Sequence, residues 1–414
     1  MSKGKLLVLS QFFSPEYVTS SVLVTQMAED LAKAGLDVEV LTGMPKEYTQ
    51  GQVKVARKEK QNGLLIRRVD YLQLSRKSRL GRLLNYFSLV ASMALRWPLL
   101  LRYRYVIVYS LPPLLPLLPA LMNVFFGKKF VFVCYDLYPD LAIAMKAISP
   151  GCSIDRVMRF TNRLVYRRAE AIVAIGGEMK RYMLQSGLVA DKTGIHVIPN
   201  WYDGIPAGYQ PIVDKREGET FHVVYSGNMG ICQDMDTILQ CAVALRDRPD
   251  IRFVFTGHGN KADTIKAEAA RLGLVNVEFH GYLMGREYTG MLARAGCFVV
   301  SLERGMEGLA VPSKSYSYLA AGRPVLAIID GQTDISKDLA QYGCGFTVNN
   351  GDGGGMASLV LQMVSDRSRT VQMGLNARRL YEDKYTREAC TAQYVGLMNE
   401  LLTKKTEVRR QKSE

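Results

Sequence analysis

Residues 5–42 read KLLVLSQFFSPEYVTSSVLVTQMAEDLAKAGLDVEVLT, and this stretch decides the fold. Residues 5–10 (KLLVLS) are a short apolar run of buried-strand type. Residues 23–34 carry apolar positions at helical spacing and stop at Gly35, and residues 37–42 (DVEVLT) form the next strand. Strand, helix and strand in this order predict a βαβ unit and a parallel sheet.

Working outward, further strands are expected at residues 64–69, 105–109, 130–134, 171–175 and 196–198, with helices at 154–168 and 178–186. The alternation pauses after Pro199-Asn200, where residues 201–219 hold Gly204, Pro206, Gly208, Pro211 and Gly218. It resumes with strands at 221–225, 251–255, 277–279, 297–301 and 324–329, helices at 235–246, 261–272 and 286–295, and a last helix at 386–402. The expectation is an α/β chain of two doubly wound Rossmann-like domains: a first domain over 1–203, a linker over 204–219 and a second domain over 220–385. The helix of 386–402 is expected to cross back to the first domain, leaving 403–414 (TKKTEVRRQKSE) as a disordered tail.

A length of 414 residues with 48% hydrophobic and 22% charged residues supports two such cores. The net charge of +14 is uneven, because residues 1–200 hold 28 basic and 14 acidic groups whereas 201–414 hold 25 of each. An anionic partner is therefore expected for the first half. The seven cysteines form no CxxC pair and the N-terminus lacks an apolar leader, which points to a reducing compartment. All four histidines lie after residue 195 without ligand spacing, so no metal and no cofactor are expected.

Residues 105–126 run without a charge but contain Pro112, Pro113, Pro116 and Pro119, which suits a strand, a turn and a helix better than a membrane span. Residues 80–95 (LGRLLNYFSLVASMAL) are a better membrane element. They are too short to cross, apolar over most of their surface, and flanked by Arg76, Lys77, Arg79 and Arg82 before and by Arg96, Trp97, Arg102 and Arg104 after. Residues 54–104 carry 13 basic groups against Glu59 and Asp70. Arg79, Arg82, Phe87, Arg96 and Trp97 are accordingly read as an interfacial anchor on anionic lipid, with a core helix bearing solvated arginines as the alternative. No aromatic and basic interleaving suggests nucleic acid.

Four turns carry the candidate chemistry. YSGNMG (225–230) follows a strand, TGHGNK (256–261) and HGY (280–282) follow two others, and VPSKSYSYLAAGRPV (311–325) opens a helix. Glycines at strand ends let a backbone approach a ligand closely. Lys314 in a first helical turn opposes the helix dipole, and a bound diphosphate would give it a reason to be there. In the first domain, residues 10–21 form the loop beyond the first strand, where doubly wound sheets take ligands.

The order QFFSPE, DLYPD (136–140), VIPNWYD (197–203), YSGNMG, TGHGNK, FHGYL and VPSKSYSYLAAGRPV resembles the retaining, GT-B-fold glycosyltransferases of family four. It is most similar to the branch that builds O-antigen, capsule and exopolysaccharide units on a polyprenyl carrier, N-acetylfucosamine transferases included. The resemblance implies a UDP-sugar or other nucleotide-sugar donor in the second domain, a polyprenyl-diphosphate-linked acceptor in the first, and a cleft between them. It implies a peripheral enzyme on the cytoplasmic face of the inner membrane.

Carried over residue by residue, donor contacts fall on Gly227, Asn228, Gly230, Gln233, Gly257, His258, Lys261, Gly281, Tyr282, Pro312, Ser313 and Ser317. Acceptor contacts fall on Ser14, Pro15, Glu16, Arg67 and Arg68, and the catalytic positions are Asp136 and Lys314. Three departures stand out. Asn228 and Gln233 replace the arginine and lysine that clamp the diphosphate, so Lys314 would carry that charge, helped by Lys261 or Arg304. Leu309 and Ser317 stand where two glutamates are usual. Tyr135-Asp136 replaces a His-Asp pair whose histidine meets the sugar near its sixth carbon, which would suit a 6-deoxy donor. A non-catalytic partner protein on the same fold and a sugar-nucleotide 2-epimerase remain the alternative functions.

Overall fold

The computed structural model describes residues 5–46, 49, 54–75, 78–189, 194–205 and 219–410, with side chains from 404 onward and that of Arg79 left aside. These residues divide into two compact units. One comprises the described residues of Met1–Ile175, Lys180–Pro199 and Arg387–Glu414; the other comprises Gly176–Met179 and those of Asn200–Thr386.

The first unit begins with β1 (Lys5–Leu9), α1 (Thr19–Lys33), β2 (Asp37–Gly43), β3 (Lys58–Gln61), β4 (Leu64–Val69), α2 (Arg79–Ala94) and α3 (Trp97–Leu100). It continues with β5 (Tyr105–Tyr109), α4 (Leu117–Phe126), β6 (Lys129–Cys134), α5 (Asp140–Ala144), α6 (Ser153–Arg168), β7 (Ala171–Ala174), most of α7 (Gly177–Gln185) and β8 (Ile195–Val197). The sheet order is β3-β4-β2-β1-β5-β6-β7-β8, parallel except for β3, which pairs antiparallel with β4. Sequence reasoning missed β3, because KEKQ is an exposed, fully polar edge strand with no apolar alternation to reveal it. β1 reads as a continuous apolar run because helices cover both faces of this sheet. Right-handed crossovers put α1 on one face and α2, α4 and α6 on the other. On α1, Leu23, Val24, Met27, Ala28 and Leu31 form the buried stripe.

The second unit contains β9 (Phe221–Ser226), α8 (Asp236–Ala244), β10 (Ile251–Thr256), α9 (Ala262–Arg271), β11 (Val277–His280), α10 (Gly285–Arg294) and β12 (Ala295–Ser301). Then follow α11 (Lys314–Ala320), β13 (Val325–Ile328), α12 (Asp334–Tyr342), β14 (Gly345–Val348), α13 (Gly353–Ser365) and α14 (Arg367–Lys384). The strand order β11-β10-β9-β12-β13-β14 is all parallel and reverses direction between β9 and β12. Tyr225, Phe253, Phe255, Ile238 and Val299 lie in its main core cluster. α12 has a reciprocal Thr333/Ser336 capping box.

The last helix, α15 (Arg387–Arg410), packs on α1 in the first unit. It corrects the expected tail: the backbone stays helical through Arg410, since Lys, Glu and Arg at 404–410 favour a helix even without an apolar face. Residues 411–414 lie outside the described residues, as does most of the expected linker. Trp201 and Tyr202 belong to the second unit instead of the first. The cause is backbone bonding, with Tyr202 N–H donating to the Tyr385 carbonyl at 3.3 Å and Tyr381 Oη donating to the Tyr202 carbonyl at 2.7 Å.

Candidate functional site

In each unit the candidate loops lie at the carboxyl ends of the parallel strands. In the second unit the loops after β9, β10 and β11 are tied together by main-chain bonds. Gly227 N–H donates to Thr256 O at 2.8 Å, Met229 N–H to His258 O at 2.7 Å, and Gly257 N–H to Gly281 O at 3.1 Å. Thr256 Oγ1 also donates to Gly281 O at 3.1 Å. The glycines therefore serve a purpose that their sequence did not disclose. A Cβ on Gly257, whose φ is +123°, would sit 2.1 Å from the Gly227 carbonyl oxygen, and one on Gly227, whose φ is +133°, would sit 2.4 Å from Lys314 Cε. They allow loop to meet loop, and loop to meet lysine, before any ligand is considered.

Lys314 is the centre of this arrangement. Its Nζ donates to Tyr225 Oη at 2.5 Å and to the Asn228 carbonyl at 2.9 Å, and lies 4.5 Å from the Tyr225 ring centroid. Tyr225 Oη in turn donates to the same Asn228 carbonyl at 2.6 Å. All of these partners are neutral, so nothing offsets the desolvation of the ammonium, and burial pushes Lys314 down to about 7. The two cations expected to help it are already engaged. Lys261 pairs with Glu303 at 3.0 Å and bonds the Gln233 carbonyl, and Arg304 pairs with Asp330 at 2.7 Å. Tyr225 was not singled out from sequence, because an aromatic at a strand end reads as core; only the placement of Lys314 gives it a second role.

Other donor-side candidates are committed to local structure. Gln233 Oε1 accepts the Gly230 N–H at 3.0 Å, so that N–H is used within the turn. Ser317 Oγ bonds back to the Lys314 carbonyl at 2.8 Å, as helical serines do, and is buried. Ser313 caps α11 without a side-chain bond, and Pro312 precedes it. His258 meets the edge of Tyr282, whose ring is 61% exposed.

In the first unit the loop after β1 is held by Ser14 N–H to Thr25 Oγ1 at 3.1 Å and by Arg68 to the Ser14 carbonyl at 2.8 Å. Pro15 and the buried Glu16 follow on this loop. Gln11 Nε2 and Ser21 Oγ, within the loop of residues 10–21 but not singled out from sequence, are buried there without a hydrogen-bond partner among the described residues. Arg67 and Arg68, read as acceptor contacts, are both engaged by carboxylates of the sheet. Arg67 pairs with Glu39, and the buried Arg68 pairs with Glu59 at 2.6 Å and bonds the Ala56 carbonyl. They alternate on β4 beside β2 and β3, and a buried guanidinium requires such partners. Asp136 follows β6; its N–H and that of Tyr135 both donate to Ser110 Oγ, at 3.4 and 3.0 Å. Burial pushes its carboxyl up to about 6, and no cation pairs with it among the described residues. Tyr135 is buried against Tyr109, with ring centroids 5.2 Å apart.

Residues 20–201 match the family described as Glycosyl transferase 4-like domain, and residues 220–366 match Glycosyl transferases group 1. The chain is 28% identical over 255 residues to the probable glycosyltransferase WbjE of Pseudomonas aeruginosa, a match spanning 60% of this chain and 63% of that protein. It is 24% identical to the putative colanic acid biosynthesis glycosyl transferase WcaI of Escherichia coli, over 80% of this chain and 85% of that one. Among solved structures, sucrose-phosphate synthase from Thermosynechococcus elongatus superposes with a TM-score of 0.72 at 16% identity, covering 96% of this chain and 99% of its own. Anabaena HepE in complex with UDP and glucose gives 0.67 at 15% identity, covering 96% and 99%.

Proposed function

This chain is a glycosyltransferase of the GT-B fold, and from that premise we propose that it moves a sugar, with retention, from a UDP-linked donor to a polyprenyl-diphosphate-linked saccharide in surface polysaccharide assembly. The observation that carries the donor side is Lys314, an ammonium held by neutral oxygens, with no carboxylate on it among the described residues of the second unit. A diphosphate supplies the counter-charge that the protein withholds. The HepE structures with UDP and with UDP-glucose support a nucleotide-sugar partner, and the colanic acid relative supports a role in polysaccharide synthesis.

In the proposed reaction the bond from the anomeric carbon to the diphosphate oxygen breaks as the acceptor hydroxyl bonds to the same face. The departing diphosphate oxygen takes the hydroxyl proton. Lys314 stabilises the charge developing on that leaving group, while Asp136 accepts a hydrogen bond from a sugar hydroxyl. No metal is invoked. The buried Tyr135 offers no imidazole at the position where the family resemblance implies a histidine near the sixth carbon of the sugar, which favours a 6-deoxy sugar. The chain would work from the cytoplasmic face of a membrane as a peripheral protein.

The test is turnover of UDP-, GDP- and dTDP-sugars, 6-deoxy and 6-hydroxy, with polyprenyl-diphosphate saccharides as acceptors. Lys314→Ala is expected to lower kcat by about 10²-fold or more. Full activity in that variant, or preference for a 6-hydroxy donor, would remove the corresponding part of the reading.

A further inference from the structure

The layer formed by α2, α3, α4 and α6 carries large apolar side chains that are exposed among the described residues. Phe87 of α2 is 58% exposed, Trp97 of α3 51%, Phe125 of α4 72% and Phe160 of α6 72%. Trp97 stacks on Phe126 at 6.0 Å between ring centroids, which joins the α2–α3 side to α4, and α4 packs against α6. On α6, Val157 and Phe160 lie on an exposed apolar stripe flanked by Arg156, Arg163 and Arg167. The apolar surface thus extends well beyond the single helix that the sequence reveals.

Its charge identifies the occupant. Residues 79–168 hold 13 basic and three acidic groups, and two of the three, Asp140 and Asp155, are both occupied by Arg159, at 2.7 Å each. Arg82, Arg96, Arg102, Arg163 and Arg167 form no ion pair among the described residues, in contrast to Arg67 and Arg68 on the sheet. Two copies of this surface set face to face would oppose unneutralised arginines. An anionic lipid leaflet offers both an apolar interior for the aromatics and headgroup charge for the guanidiniums.

We propose that this helical layer, with Phe125 of α4 and Phe160 of α6 as insertion points alongside α2 and Trp97, is a membrane-docking face for an anionic lipid leaflet. The inference rests on the membrane-associated part of the reading above and is independent of the donor.

The experiment uses the full chain with vesicles of phosphatidylcholine alone and of phosphatidylcholine with phosphatidylglycerol, read by co-sedimentation and by tryptophan emission. Of the two tryptophans, Trp201 is buried and Trp97 exposed, so a blue shift that vanishes in Trp97→Phe reports insertion at this face. Phe125→Asp and Phe160→Asp should each weaken partition onto the anionic vesicles about tenfold or more, with donor hydrolysis in vesicle-free solution unchanged. If the wild-type chain ignores anionic vesicles, the membrane reading itself fails. If it binds them and both aspartate variants bind equally well, only the extended face fails. A wild-type dimer that Phe125→Asp dissociates would reassign the face to a second copy of the chain.

Discussion

Because Lys314 is held by a tyrosine hydroxyl and a main-chain carbonyl, its charge near neutrality is set by burial and not by a carboxylate. A lysine whose folded pKa lies near 7 loses its proton as pH rises through that value, and a bound diphosphate favours the charged form. Donor affinity should therefore fall as pH is raised from 6 to 9 and be nearly flat in Lys314→Ala, as titration calorimetry with UDP would show. Tyr225→Phe removes one acceptor of the ammonium and should weaken UDP binding about fivefold, near 1 kcal/mol, while shifting the pH midpoint downward. An unshifted midpoint would make Tyr225 a packing residue only. Lys314 could be singled out in the sequence because its charge opposes the local dipole, whereas Tyr225 could not, since its hydroxyl gains a role only through a residue 89 positions away. The same holds for Arg67 and Arg68, whose partners lie on neighbouring strands.

α15 shows how an element distant in sequence becomes part of the first unit. Arg387 bonds Asp30 at 2.7 Å and Glu29 at 2.9 Å on α1, Thr391 Oγ1 adds a bond to Asp30 at 3.1 Å, and Tyr105 Oη donates to the Leu401 carbonyl at 3.0 Å. Burial alone would raise the Asp30 pKa, but the Arg387, Lys33 and Thr391 bonds outweigh it and hold it below its ordinary value. A depressed carboxylate contributes stability that is present above its unfolded value near 3.8 and is lost as pH falls through the lower folded value. Arg387→Ala should cost about 2 kcal/mol at pH 7, and its melting temperature should converge on that of the wild type below pH 3. A return of this helix to the first domain was expected, but its anchor on α1 was not, because ion-pair partners more than 350 residues apart leave no periodic trace.

At the scale of the whole chain, charge and ligand chemistry are divided between the units. The first half holds the entire excess of +14, part of it on helices with apolar, arginine-rich exposed faces, and the second unit holds Lys314, which has no carboxylate partner among the described residues, beside glycine-bearing loops. Hydrogen exchange should therefore give two separate footprints, UDP protecting the loops after β9 and β10 together with α11, and anionic vesicles protecting α2, α4 and α6. UDP at about 100 times its Kd should stabilise the second unit by about 2.7 kcal/mol. A single footprint common to both ligands would contradict the division.

The sequence by itself determined the two doubly wound domains, most strand and helix positions, the basic first half and the loops that gather at the strand ends. These follow from local periodicity and from the burial of parallel strands on both faces. Only the tertiary structure decided which arginines are spent in ion pairs and which remain exposed, which glycines serve loop packing, and that Tyr225 holds Lys314. Each of these depends on contacts between residues far apart in the chain, and the energy of a buried charge or polar atom is set by those neighbours rather than by its own position in the sequence.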